Sequence, residues 1–478
     1  MSEDVFVTRR SGSVDLLTGT PWKKILQFAI PLIIGNLFQQ LYNTVDAIIV
    51  GRYVGPVGLA AVGVSTPLLF LMVSIFMGVG LGAGVLVSQN FGARNREGLR
   101  KTLHTAILLA LVVGIALSVI AIALVPHILR LLNTPEDTYA PALSYMVILF
   151  IGMAGQMLYN MTSGFMRGMG NSRMPLIILI ISSFTNIVLD LIFVAPMGMG
   201  VAGAALATII SQIMSALIAV VALHRTNELT RISRDELKIS WAITKDIVKL
   251  GVPTAIQQAV LSIGSMMVMG TLNTYGTITL AGYSAAMKVD MLAVMPIMSF
   301  GMSLTSFTGQ NVGANQMDRV YQGAKHGIAL SASIVLTFSA LLLFFGKYAL
   351  MMFTDDMATV EAGFQMMRIV VPFYLLMVLI QSLGAVMRGS GETVIPMWNS
   401  LTMSIFARLP LLYLLNATFM NPTAVYWSQV GGWLVGGIHI VYMYNKGNWK
   451  KKAFTRIEAL RLDKERQAAA AAAAVLAK

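Results

Sequence analysis

The sequence predicts an all-α integral membrane protein, with twelve transmembrane helices in two homologous six-helix bundles around a central cleft. Three observations carry this. Of 478 residues, 56% are apolar and only 12% charged, more hydrophobic surface than a soluble core can bury. Apolar stretches of about 20 residues, enough for a helix to cross roughly 30 Å of hydrocarbon, recur along most of the chain. Short motifs also recur between the two halves at one fixed spacing.

Apolar runs place spans at 25–50, 57–89, 102–125, 139–166, 174–195, 201–223, 247–272, 279–310, 323–346, 364–387, 395–415 and 424–444. Backbone groups in lipid must find partners within their own segment, so these runs are helices. The first run is too long for a signal-peptide core and has no small-residue cleavage site after it, so it reads as a retained span. Residues 1–24 form an N-terminal segment, 25–223 the N-lobe, 224–246 a polar inter-lobe linker, 247–444 the C-lobe and 445–478 a tail. The tail ends in seven alanines, Ala468 to Ala474, a low-complexity pattern to which no function is assigned.

Basic residues orient the spans. Arg9, Arg10, Lys23 and Lys24 precede the first span, Arg94, Arg96, Arg100 and Lys101 follow the second, and Arg167 and Arg173 follow the fourth. The loop from His224 to Lys249 and the tail with Lys450, Lys451 and Lys452 fall on the same side, so both termini are expected in the cytoplasm of a bacterial-type inner membrane. Loop placement also accounts for the net charge of +13 without nucleic acid.

The motif Gln89-Asn90-Phe91-Gly92-Ala93 recurs as Gln310-Asn311-Val312-Gly313-Ala314, and 310 less 89 is 221. At that offset Met166-Arg167-Gly168-Met169-Gly170 recurs as Met387-Arg388-Gly389-Ser390-Gly391, and Pro175 as Pro396. An even number of spans separates equivalent positions, so the repeats share one orientation.

Ionisable residues inside spans are costly and mark function. Asp46 and Asp190 lie near the outer ends of spans one and five. Counting inward along spans four and six reaches Tyr145 and Thr208 at a similar depth, on the order of 10 Å from the surface at 1.5 Å per residue. Asn36, Gln39, Asn43 and Asp46 make one polar stripe at helical spacing; Ser182, Ser183, Asn186 and Asp190 make another. Two carboxylates facing each other in a low dielectric share a proton or a small cation. The alternative is that each aspartate caps a helix break or pairs with a basic residue.

The C-lobe does not repeat this cluster. At offsets of 221 or 222 the counterparts of Asp46, Tyr145, Asn186 and Asp190 are Val268, Met366, Ala407 and Leu411. That lobe has Lys288, Asp290 and Arg408, and an Arg408–Asp290 pair is expected, against an Arg408 that only snorkels or shapes packing. Gln156, Asn160, Gln257, Gln258 and Met287 are candidate cleft residues, Met287 among 33 methionines whose flexible side chains suit varied apolar shapes.

Enzyme signals are weak. The run Gly78 to Gly84 lies inside a span, where small residues four apart permit close helix packing. The chain lacks cysteine, its five histidines have no metal-binding spacing, and no cofactor is expected. A channel is disfavoured because no filter or ring of charges is evident.

These residues resemble the multidrug and toxic compound extrusion family, from Trp22 to about Tyr444. The marks are Ala29-Ile30-Pro31, Val45-Asp46 with Val50-Gly51, the Gln89 to Ala93 loop, and Arg167-Gly168-Met169-Gly170-Asn171 followed by Pro175, with the repeats of the last two. The resemblance implies antiport of cationic amphipathic compounds against H⁺ or Na⁺, by a monomer in the bilayer. It places cation coupling on Asp46, Asp190, Tyr145, Asn186 and Thr208, with Na⁺ as one ion that Asp46 and Asp190 could hold. It also implies a bend of span one at Pro31 when Asp46 takes a proton. Branches that couple through the C-lobe carry a glutamate on span seven and an aspartate on span ten; here Gln257 or Gln258 stands in the former place and span ten has no intramembrane aspartate. The rival reading is a lipid-linked precursor flippase, which would need basic residues to hold a pyrophosphate.

Overall fold

The computed structural model describes residues 12–132, 134–226 and 228–476, so Arg9 and Arg10 lie outside the described residues. Those residues are helical, with no strand among them: α1 (Pro21–Tyr53), α2 (Pro56–Gly92), α3 (Arg96–Leu131), α4 (Glu136–Ile151), α5 (Met153–Gly168), α6 (Arg173–Val194), α7 (Gly200–Thr226), α8 (Trp241–Asn273), α9 (Thr277–Gly313), α10 (Met317–Met351), α11 (Met357–Val370), α12 (Tyr374–Gly389), α13 (Val394–Leu401), α14 (Leu409–Phe419), α15 (Thr423–Lys446) and α16 (Asn448–Leu476). By length and apolarity ten spans qualify among the described residues, and the bent pair α4–α5 makes eleven. Helix α15, with 24 residues, is long enough at about 1.5 Å per residue to be the twelfth.

The described residues form two compact units: 12–15 with 31–252, and 16–30 with 253–476. The divide therefore falls at Pro31 and Pro253, inside α1 and α8, and the 224–246 loop belongs to the first unit. Proline lacks the N–H that would continue the helix ladder and clashes with the preceding turn, which weakens the helix where each changes unit. Within the first unit the loop is held to the start of α3 by a two-pronged Arg100–Glu236 pair at 2.9 and 2.7 Å, and by the Ser233 N–H donating to His104 Nε2 at 3.1 Å.

The repeat governs the backbone in detail. Gly55 and Gly276, Arg94 and Asn315, and Gly170 and Gly391 are left-handed pairs, each 221 apart, with φ of 83° and 88°, 53° and 57°, and 88° and 89°. Span four breaks at Gly152 with a 47° bend between α4 and α5. Span ten breaks at residues 371–373, the last of which is 221 on from Gly152. The causes differ. A side chain on Gly152 would meet Ile209 at 2.5 Å, so close packing requires glycine, whereas Pro372 withdraws a donor from the second break.

One local difference changes the register. A π-helical segment, Thr402–Arg408, separates α13 from α14, just ahead of Pro410. Such a segment admits one extra residue, so the offset beyond it is 222. The counterparts of Asn186 and Asp190 are therefore Arg408 and Leu412, in place of the expected Ala407 and Leu411.

The tail is not merely low complexity. Helix α16 docks on the second unit through Trp449, fully buried and stacked on Tyr444, and through Ala453 and Leu460. Lys452 pairs with buried Glu392 at 2.6 Å, and that carboxylate also accepts the N–H groups of Val394 and Ile395 at the start of α13. Near the other end of the chain, Arg319 donates to the carbonyls of Leu16, Thr18 and Gly19, fixing the segment before α1 within the same unit.

Candidate functional site

The first unit gathers its intramembrane acids. Asp190 is fully buried on α6 and its carboxyl is in hydrogen-bond contact with that of Asp46 on α1. Two carboxyl groups this close cannot both stay charged cheaply, so the pair favours a proton or a small cation shared between them. Asn186, one turn before Asp190, donates to Asp190 Oδ2 at 2.9 Å and accepts from the Thr208 N–H at 3.2 Å when its amide is turned to satisfy both. The opposite orientation reaches only the Thr208 hydroxyl, at 3.4 Å, and leaves the carboxylate without that donor. Tyr145 on α4, buried, lies within electrostatic reach of both aspartates.

Residues placed at one depth by counting along separate spans are thus brought together: Asp46, Asp190, Tyr145, Asn186 and Thr208. The sequence reading missed Tyr42, whose side chain engages the Thr208 hydroxyl and lies beside both acids. Its signal was available, since it precedes Asp46 by four residues, one helical turn. The polar stripe had favoured Asn43, which is exposed, as is Gln39, while Asn36 is half-buried.

Among the described residues no lysine, arginine or histidine lies within 4.0 Å of either aspartate. One oxygen of each, Asp46 Oδ1 and Asp190 Oδ1, is buried without a hydrogen-bond partner. Buried carboxylates with no fixed counter-charge are costly unless a proton or mobile cation neutralises them. With neutral hydroxyl and amide oxygens around the acids, the same cluster offers hard oxygen ligands to a small cation.

Gln156 and Asn160 are half-buried one turn apart on α5, where Asn160 donates to the Gln156 carbonyl at 2.9 Å. Helix α5 lies tight against α2: a Cβ on Gly164 would sit 2.4 Å from the Gly80 carbonyl oxygen, which accounts for the glycine run in α2 as packing. In the second unit Gln257 and Gln258 are half-buried and Met287 is exposed. Lys288 is exposed, its ammonium 5.4 Å from the Phe353 ring.

The expected Arg408–Asp290 ion pair does not form. Arg408 donates instead to Gln429 Oε1 on α15 at 2.9 Å, and Asp290 Oδ1 is left without a partner. Gly432 lets Arg408 lie against α15, with the arginine Cβ 3.1 Å from where a glycine side chain would begin, and the Tyr283 hydroxyl occupies the space beside the guanidinium.

Comparison with known proteins agrees with this architecture. The MatE family model matches residues 31–192 and 253–414, segments that begin at the two prolines where the chain changes unit. The chain is similar to the probable multidrug resistance protein YoeA of Bacillus subtilis, 30% identical over 467 residues, covering 95% of this chain and 99% of that one. It is similar to the probable multidrug resistance protein NorM of Thermotoga maritima at 25% over 442 residues, covering 90% and 94%. Its fold matches a solved MOP superfamily transporter from Pyrococcus furiosus with a TM-score of 0.85 and 25% identity, over 95% of this chain and 99% of that one. With both repeats matched and a relative of this identity aligned along nearly its whole length, the chain belongs to the MatE family of multi-pass membrane transporters.

Proposed function

We propose that this protein exports cationic amphipathic compounds by antiport, with Asp46 and Asp190 carrying the coupling ion. The observation that supports the reading most is the carboxyl–carboxyl contact without a basic neighbour, a pair whose charge depends on an ion from outside the fold. The relatives named as multidrug resistance proteins agree with the export of small organic compounds. Cargo held in the first unit leaves when a proton or Na⁺ arriving from outside loads the aspartates, and alternating access then discharges the ion to the cytoplasm, where both termini lie. Tyr145, Asn186, Thr208 and Tyr42 orient the carboxyl groups and complete the oxygen shell when Na⁺ is the ion. Pro31 supplies the weak point at which the Asp46 half of α1 bends as that carboxyl changes charge.

The test is ethidium efflux from cells expressing the protein, under separately imposed proton and sodium gradients, for wild type, Asp46→Asn and Asp190→Asn. Efflux by the wild type that both folded variants lack supports the reading, and the effective gradient names the ion. A wild type that moves no cationic compound under either gradient refutes it and leaves lipid-precursor flipping as the reading to examine.

A further inference from the structure

The second unit carries at the counterpart of the cation site not an empty copy but one of opposite charge. Asn186 is replaced by Arg408, 222 residues on, which bonds Gln429 on α15. Asp46 and Asp190 are replaced at an offset of 222 by Val268 and Leu412, both fully buried. The guanidinium makes no ion pair: no carboxylate lies within 4.0 Å of Arg408 among the described residues, and Asp290, within electrostatic reach of Tyr283, does not bond it.

Arg408 donates to Gln429 Oε1 and bonds the Tyr283 hydroxyl, and keeps one donor free. Its Nε is buried without an acceptor, and so is the hydroxyl of Tyr426, a side chain only 1% exposed. Tyr426 stacks on Tyr283, ring centroids 6.4 Å apart, and the Tyr283 hydroxyl faces the guanidinium. A neutral amide oxygen from Gln429 satisfies one arm of the arginine and leaves its charge uncompensated. An unneutralised planar cation with a free N–H, beside a stacked tyrosine pair whose outer hydroxyl is also unpartnered, is complementary to a carboxylate attached to an apolar body.

We propose that the Arg408–Tyr283–Tyr426 cluster binds the carboxylate of an amphipathic cargo, so that the second unit accepts acid-bearing compounds that the acidic first unit repels. This assignment does not depend on the antiport reading, because it concerns binding in a different unit.

The experiment measures binding of Nα-dansyl-lysine and of its methyl ester, which differ only in the free carboxylate, to the intact detergent-solubilised protein by dansyl fluorescence. The wild type is expected to favour the acid by about tenfold or more, the size of one charge-assisted contact. Arg408→Gln should bring the acid-to-ester ratio to about one with ester affinity unchanged, Arg408→Lys should keep part of the preference, and Tyr426→Phe should reduce it severalfold. The ratio is read at equilibrium with no ion gradient imposed, so it stays measurable whether or not the protein pumps, which separates this proposal from failure of antiport. A wild type without acid preference, or an Arg408→Gln protein that keeps it, overturns the proposal. If Arg408→Gln loses ester binding as well, unchanged ratios in both Arg408→Lys and Tyr426→Phe overturn it equally.

Discussion

The two repeats share a backbone and differ in charge. In the first unit Asp46 and Asp190 meet beside Tyr42, Tyr145, Asn186 and Thr208, and among the described residues no basic group lies within 4.0 Å of either acid. In the second, the same helices hold Val268 and Leu412, and one extra residue in a π turn places Arg408 where Asn186 would be. Three pairs of left-handed residues recur at the same spacing, so the fold tolerates either content. A duplicated scaffold thus fixes where a polar cluster can stand, while a few side chains choose its sign.

The largest test of that contrast makes the first unit resemble the second. Asp190→Leu, which copies Leu412, should abolish ion-driven efflux of ethidium yet leave the melting temperature in detergent unchanged or raised, since an apolar side chain replaces a buried acid. A variant that still pumps would detach coupling from the acidic pair. Next comes a dependence peculiar to the second unit: Trp449→Ala empties a fully buried site under α16 and should destabilise by about 3–5 kcal/mol, read as a fall in Tm.

Helix packing offers a matched pair. Gly164→Ala would set a Cβ 2.4 Å from the Gly80 carbonyl oxygen and should cost about 1–3 kcal/mol by overpacking. Gly301→Ala, at the counterpart of Gly80, meets nothing closer than 3.9 Å and should leave Tm unchanged. Equal losses would mean that the close α2–α5 contact is not what the glycines protect. Tyr42→Phe removes one hydroxyl beside the acidic pair, and should weaken the apparent affinity for the coupling ion about fivefold, about 1 kcal/mol, with maximal efflux retained.

The smallest effect lies at the start of span ten. Asp356 caps α11 through the N–H groups of Ala358 and Thr359, whereas the N-cap of α4, 221 residues earlier, is Pro135 and makes no side-chain bond. The Thr359 hydroxyl and N–H hold the Asp356 carboxyl below its ordinary value. Its stabilisation is therefore present above the unfolded-state value and lost as pH falls through the folded one. Asp356→Ala should lower Tm slightly at neutral pH and not at all once the wild-type carboxyl is protonated; a loss of equal size at both pH values would assign the effect to packing.

Much of this was legible in one dimension because lipid imposes simple rules. Span length follows bilayer thickness, a charge within a span stands out, and a repeat survives as motifs at fixed spacing. Asp46, Asp190, Tyr145, Asn186 and Thr208 could be gathered by depth, since rise per residue is constant along a helix. Tyr42 was overlooked because depth and periodicity do not say which of two neighbours, Tyr42 or Asn43, faces inward. The Arg408–Asp290 pair failed for a related reason: membership of one lobe and opposite charge say nothing about which helix a long side chain lies against, and Gly432 on α15 decided that.

The linear chain by itself determined the helical class, the twofold repeat and the asymmetry of its acids, because each rests on composition, period or spacing. Tertiary packing settled three further matters: the change of unit at Pro31 and Pro253, the docking of α16 under Trp449, and the one-residue shift that turns Arg408 into the counterpart of Asn186. Each depends on contacts between residues far apart in sequence or on a local change of helical pitch, and neither leaves a period in the chain that could be read without the fold.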